Sequence, residues 1–124
     1  MCKELYQRIS KIYNCFLYIM PLVDSDYSGE YKRLIWWLFY ATRGGDMRRK
    51  IIDLIRNNPS NQHQISRVLG VNYRTVEHHL HILEQNNIVY GMGDKYGRTF
   101  FISQSFLDKL PIYDEFKNKV EKNS

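Results

Sequence analysis

Basic side chains are concentrated in the middle of this chain of 124 residues. Residues 43–98 contain nine Lys and Arg against five Asp and Glu, a net charge of +4. Residues 1–42 carry a net charge of +1 and residues 99–124 a net charge of zero, so the middle segment holds most of the total of +5. Such an excess is the usual electrostatic footprint of a nucleic-acid binder, although ordinary surfaces also reach it. The charge permits binding to a polyanion without establishing it.

The histidines are the residues with the clearest potential for metal binding. His78, His79 and His81 lie close together, and a distant His63 could join them. Consecutive residues point about 100° apart on a helix, so of these three only His78 and His81 share a face. The spacing weighs against a metal site and favours His79 as a packed structural residue. We therefore expect no metal and no cofactor.

The chain also lacks the sequence patterns of catalysis. Gly91, Gly93 and Gly97 belong to a predicted hairpin rather than to a strand–helix junction, so they do not form a phosphate-binding loop. No Ser or Cys has a recognisable nucleophile context. Cys2 and Cys15 are too few for a disulfide framework, and the charged residues that follow the N-terminus do not form a secretory signal. We expect a cytoplasmic protein that is not an enzyme.

Composition and length indicate one compact globular domain, since 44% of the residues are hydrophobic and 25% are charged. The apolar runs at 16–23 and 34–41 are far shorter than the roughly 20 residues that a membrane span needs. We expect a mainly α-helical fold with a small β-hairpin. Its parts are predicted to be an N-terminal helical extension (1–42), a central module (43–103) and a C-terminal helix (104–124).

The apolar spacing predicts two helices in the N-terminal extension. Apolar residues recur every three or four positions over 3–20, before Pro21, and a second helix over 30–42 stops at Gly44 and Gly45. The second helix contains the apolar run 34–41, which needs cover on more than one side.

A third helix is predicted over Met47–Asn57, with Asp46 as its N-cap. Arg48, Arg49 and Lys50 crowd its first turn, where they oppose the helix dipole. Their position suggests an anion supplied from outside the helix.

Two further helices follow with a tight turn between them. Ser60 or Asn61 is expected to cap a short helix whose apolar side chains are Ile65, Val68 and Leu69, and Gly70 closes it. Asn72 is expected to cap a helix over Tyr73–Gln85, with an apolar stripe formed by Val76, Leu80 and Leu83. Two helices joined by a short turn that contains Gly are typical of a helix-turn-helix.

β-branched and aromatic residues dominate the next segment. Ile88–Met92 and Arg98–Ile102 flank a glycine-bounded turn and predict a hairpin with a basic, aromatic tip. The remaining apolar residues predict a closing helix in two pieces, broken at Pro111.

Three segments, NQHQISRVLGV (61–71), TVEHHLHILE (75–84) and IVY (88–90), resemble the ArsR-like winged helix-turn-helix transcription regulators, particularly those of archaea. The resemblance covers about half of the chain when the connecting elements are included. It implies a winged helix-turn-helix fold, with 72–86 as the recognition helix and 88–102 as the wing. It also implies a regulator that binds double-stranded DNA.

A recognition helix places its N-terminal residues against base edges in the major groove. Arg74 is our best candidate for base readout, since it can donate to guanine O6 and N7, and Thr75 can offer its methyl group to thymine. Glu77 would be repelled by phosphate unless it accepts a hydrogen bond from cytosine N4. The complete set of predicted DNA contacts is Asn72, Tyr73, Arg74, Thr75 and His78 on the helix, Lys95, Tyr96 and Arg98 on the wing, and Arg43, Arg48 and Arg49 before and within the third helix.

The aromatic second helix has two interpretations. It can form part of the core, or it can form a dimer interface, because the aromatic side chains are too many to face one small domain. We favour the dimer, with Leu34, Trp36, Trp37, Phe39 and Tyr40 at the interface. The alternative function is a winged helix that binds proteins, such as components of the transcription machinery, through the aromatic N-terminal segment; a metal-sensing repressor is a further alternative.

Overall fold

The computed structural model describes residues 29–94 and 97–122, and these divide into two compact units. The helical unit comprises the described residues up to Gly45 together with those from Lys109 onward. The winged unit comprises Asp46–Asp108. The helix predicted over 3–20 lies outside the described residues. Among the described helices, none combines the length and the apolar character that crossing a membrane requires.

The helical unit contains α1 (Gly29–Trp36), which continues as a π-helical segment (Trp37–Ala41). The predicted second helix is therefore confirmed, although its latter part has the wider π geometry. The segment ends at Thr42, whose backbone is extended and whose Oγ1 donates to the Trp37 carbonyl at 3.0 Å. A Cβ on Gly45 would lie 2.6 Å from the carbonyl of Phe39, so a glycine is required where the chain turns back on this segment.

A C-terminal helix supplies the cover that the aromatic helix needs. This helix, which we number α6 (Leu110–Lys122), places Phe116 5.6 Å from the ring of Trp36 and Tyr113 edge-on to Phe39 at 5.0 Å. Tyr40 stacks on Trp36 at 5.2 Å. Three of the four aromatic side chains assigned to a dimer interface thus pack inside their own unit.

Trp36 and Phe39, both predicted at a dimer interface, are instead buried within their own unit, and that assignment is corrected. Leu34 is half-buried, and Trp37 remains 51% exposed. The error arose because the sequence does not show that α6 packs Phe116 against Trp36 and Tyr113 against Phe39.

The winged unit holds most of α2 (Gly45–Asn57), then β1 (Ser60–Asn61), α3 (Gln62–Leu69), α4 (Tyr73–Gln85), β2 (Val89–Met92), β3 (Thr99–Ile102) and α5 (Gln104–Leu107). Its three strands form an antiparallel sheet in the order β1–β3–β2. Ser60 lies opposite Phe100, and Val89 lies opposite Ile102. The predicted hairpin is confirmed within one residue at each strand start, whereas the two-residue β1 was not predicted because it is too short for a hydrophobic period.

The turn signals of the helix-turn-helix are confirmed. Asn61, not Ser60, caps α3, and it forms a capping box with Gln64. Gly70 ends α3 in the left-handed region at φ 65°. The predicted apolar stripe of α4 is buried, as is Ile65 of α3, but Val68 is 65% exposed and does not belong to the core as predicted.

Two helix boundaries differ from the prediction. The helix α2 begins at Gly45, so Asp46 lies in its first turn rather than at the N-cap. The C-terminal break falls between Leu107 and Leu110, and Pro111 is the second residue of α6 rather than the breaking point. A proline fits the first turn of a helix because its missing N–H has no partner there to lose.

Candidate nucleic-acid interface

Hydrogen bonds between backbone and side-chain groups hold the turn between α3 and α4. Ser66 Oγ donates to the Val71 carbonyl at 2.6 Å, and the Val71 N–H donates to the Ser66 carbonyl at 3.1 Å. The Asn72 side chain then accepts from the Arg74 N–H at 2.8 Å, which makes it the N-cap of α4. The first turn of α4 is thereby fixed while the side chains of Arg74 and Thr75 stay exposed.

Tyr73 connects the starts of the two helices. Its ring lies 4.6 Å from that of His63, and its carbonyl accepts a hydrogen bond from Gln62 Nε2 at 3.4 Å. Tyr73 is half-buried as a result, and the N-terminal turns of α3 and α4 lie side by side. His63 was absent from the predicted site, since the sequence separates it from Tyr73 by ten residues and only the fold makes them neighbours.

The structure groups most of the helix residues predicted for the site. Asn72, Arg74 and Thr75 are exposed at the start of α4, and His78 is exposed one turn later. Arg43 is also exposed, but it belongs to the helical unit. Lys95 and Tyr96 of the wing lie outside the described residues.

Arg48 does not fit the predicted role of a phosphate contact. Its side chain is only 3% exposed, and its Nη1 lies 3.2 Å from Nδ1 of His79 in the interior of the winged unit. A guanidinium has only donors, so Nδ1 of His79 accepts and the imidazole is neutral, with its proton on Nε2. The prediction for Arg48 is corrected, because its position in the first turn of a helix did not reveal which face it occupies.

The environment of His79 stabilises this neutral form. Burial, the charge of Arg48 and the neighbouring His78 lower the pKa of His79 to about 4. His79 is 8% exposed, so its predicted role as a packed structural residue is confirmed.

The other two basic residues of this turn meet a carboxylate of their own chain. Asp46 lies 3.2 Å from Arg49 and 3.3 Å from Lys50. Asp46 belongs to the same helix, so the anion expected from outside the helix stays a prediction. Exposed pairs of this kind contribute about 0–1 kcal/mol, so they hold these side chains only weakly.

Arg98 at the base of the hairpin contacts α4. Its Nη2 lies 2.6 Å from Oε1 of Glu84, and its guanidinium carbon lies 5.6 Å from the centre of the Phe100 ring. An open groove of about 410 Å³ lies between α4 and the wing, and Glu77 and His81 are among its lining residues. Within the described ranges, no group of three or more His, Cys, Asp or Glu is placed to hold a metal ion.

Comparison with known proteins agrees with this architecture. Residues 46–90, a little over a third of the chain, match the family model described as bacterial regulatory protein, arsR family. The search of curated proteins returned no match.

Three solved structures show the same fold. Reduced HlyU from Vibrio cholerae has a TM-score of 0.54 at 15% identity, with 66% of this chain and 83% of that chain covered. The winged helix-turn-helix DNA-binding domain of Mb0332 from Mycobacterium bovis, a homodimer, has a TM-score of 0.54 at 16% identity, with 77% and 91% covered. The transcriptional regulator SlyA has a TM-score of 0.51 at 16% identity, with 94% and 72% covered. The chain therefore has a winged-helix fold that contains an ArsR-type helix-turn-helix segment.

Proposed function

We propose that this protein is a transcription regulator that binds double-stranded DNA with sequence preference. The observation that carries the proposal is the exposed first turn of α4, whose backbone is fixed by Asn72 and by the contact between Tyr73 and α3. A preformed helix end with exposed polar side chains suits the major groove, since little conformational freedom is lost on binding. The match of residues 46–90 to the arsR-family model supports the same function.

Sequence readout is assigned to the exposed side of α4. Arg74 donates to guanine O6 and N7, and the methyl group of Thr75 contacts thymine. Asn72, Tyr73 and His78 contact phosphates or base edges beside them. Glu77 accepts from cytosine N4 and disfavours other bases at that position.

Phosphate contacts supply most of the affinity. Lys95 and Tyr96 contact the backbone from the wing, and Arg43 and Arg49 contact it from the region around the start of α2. Arg48 takes no part because it is buried. Binding is therefore steeply salt-dependent, whereas the choice of sequence depends on α4.

We further propose that the regulator is a homodimer, since one helix-turn-helix reads only half of a two-fold symmetric site. The homodimeric state of the similar Mb0332 domain supports this. Of the aromatic residues first assigned to the interface, Trp37 is the one whose side chain is more than half exposed. Light scattering at micromolar concentration should give twice the chain mass, and a monomer there would refute the dimer.

Selection of genomic fragments by the purified protein, followed by sequencing, tests the proposed function. The enriched fragments should share a motif, and gel shifts should saturate on such a fragment at concentrations where a scrambled version stays free. Equal binding to both fragments at all salt concentrations, or no binding, would refute the proposal and favour a winged helix that binds proteins instead.

A further inference from the structure

We propose that Arg98 and Glu84 form a clasp that sets the position of the wing (88–102) against the recognition helix, and that Arg98 acts on DNA through this clasp rather than by touching phosphate. The DNA part rests on the function proposed above. The structural part concerns the free protein and can be tested without DNA.

The clasp joins two elements that the hairpin hydrogen bonds do not connect. Arg98 Nη2 lies 2.6 Å from Glu84 Oε1 on α4 and 3.5 Å from the carbonyl of Gly91 on β2. The guanidinium carbon also lies 5.6 Å from the ring centre of Phe100 on β3. A short, charge-assisted contact between partly buried groups is stronger and less screened by salt than an open surface pair.

Gly91 provides the space in which the Arg98 side chain lies. A Cβ on Gly91 would come within 2.4 Å of Arg98 Nε and 2.9 Å of its Cδ. The backbone of Gly91 is not in the left-handed region, in contrast to Gly93 at φ 108°. Glycine at position 91 leaves the space that the Arg98 side chain occupies in the clasp, so an added Cβ would displace that side chain.

The clasp acts where the strand pairing stops. The last pair of the hairpin joins Met92 to Thr99, and Arg98 is the next residue toward the tip. In the described part of the tip, the Gly97 N–H donates to the Asp94 carbonyl at 3.1 Å. Because strand pairing ends at Met92 and Thr99, a side-chain contact from the end of the ladder to α4 sets the angle at which the end of the hairpin is presented.

The clasp predicts that removing the Glu84 carboxylate changes DNA affinity in the opposite direction from simple charge repulsion. If Glu84 were a solvated carboxylate, its removal would reduce repulsion from phosphate and strengthen binding to DNA. If Glu84 holds Arg98, its removal frees the wing and weakens binding. Asp94, an exposed carboxylate at the wing tip that is not part of the clasp, provides the matched control.

The test compares Glu84→Gln, Gly91→Ala and the control Asp94→Asn in the full chain. Binding to a selected DNA fragment should weaken about fivefold for Glu84→Gln and for Gly91→Ala, whereas Asp94→Asn should bind equally or more tightly. The two clasp variants should keep the wild-type slope of affinity against salt, because no phosphate contact is lost. Tighter binding by Glu84→Gln, as by Asp94→Asn, would overturn the proposal.

Amide hydrogen exchange of the free protein tests the structural part. Exchange of the β2 and β3 amides should accelerate severalfold in both clasp variants and in Arg98→Gln, while the amides of α2 keep their wild-type rates. Unchanged exchange in all three variants would overturn the clasp even if DNA binding were confirmed. Accelerated exchange in a protein that shows no sequence preference for DNA would support the clasp while refuting the proposed function.

Discussion

The first turn of the recognition helix and the base of the wing each carry an arginine that the sequence assigns to DNA. Arg74 is exposed, and the Asn72 cap uses its backbone N–H rather than its side chain. Arg98 instead donates to Glu84, 14 residues earlier in the sequence. Whether an arginine is available to DNA therefore depends on which carboxylate the fold brings to its side chain. Residue type and local spacing do not reveal this.

Arg48 is even less available to DNA than Arg98, since it is buried beside His79. Arg48→Ala should lower the free energy of unfolding by about 3 kcal/mol, because it removes a buried side chain and a hydrogen bond to His79. Urea unfolding measures the change. The control, Arg67→Ala on the exposed side of α3, should stay within about 0.5 kcal/mol of wild type. Equal small losses in both variants would remove the distinction between buried and exposed arginines.

The pKa of His79 predicts how this buried pair responds to pH. The folded state keeps the imidazole neutral down to about pH 4, whereas the unfolded state binds a proton below its ordinary pKa of 6.5. The free energy of unfolding should therefore rise between pH 4 and 6.5, with a contribution from His79 of up to roughly 3 kcal/mol. Above pH 6.5 the contribution of His79 should no longer change with pH.

The contribution of His79 is isolated by comparing two histidine variants over this range. His79→Gln should lose this part of the pH dependence, while His81→Gln, at an exposed position of the same helix, should retain it. Identical pH profiles for the two variants would contradict the assignment to His79.

A smaller effect is expected at Asn72, where capping and DNA contact fall on one side chain. Asn72→Ala should lower the free energy of unfolding by about 1 kcal/mol, because the Arg74 N–H loses its acceptor. Asn72→Asp should keep that stability but bind DNA more weakly, because a negative charge then faces phosphate. Thermal unfolding and gel shifts separate the two effects, and a loss of stability in Asn72→Asp would refute the capping role.

Local signals predicted most of the winged unit. The caps at Asn61 and Asn72, the left-handed turn at Gly70 and the apolar stripe of α4 act within a few residues, and all four are confirmed. The hairpin followed from its β-branched and aromatic strands. The first turn of α4 was therefore predictable as an exposed surface.

Long-range contacts account for the errors. Arg48 is buried and contacts His79, 31 residues away, and Trp36 and Phe39 contact rings of α6. The exposure of Val68 has the same origin, since helical spacing alone does not show which side of a short helix finds a partner. None of these contacts has a signature within one stretch of sequence.

Binding of Arg74→Ala and Arg98→Ala to a selected DNA fragment and to its scrambled version, at one salt concentration, tests whether the first turn of α4 reads the DNA sequence. Arg74→Ala should lose about 1–3 kcal/mol on the selected fragment and little on the scrambled one, so the preference falls. Arg98→Ala should weaken binding to both fragments alike, so the preference is kept. An equal loss on both fragments for both variants would contradict the claim that the first turn of α4 reads the sequence while the base of the wing only positions the protein.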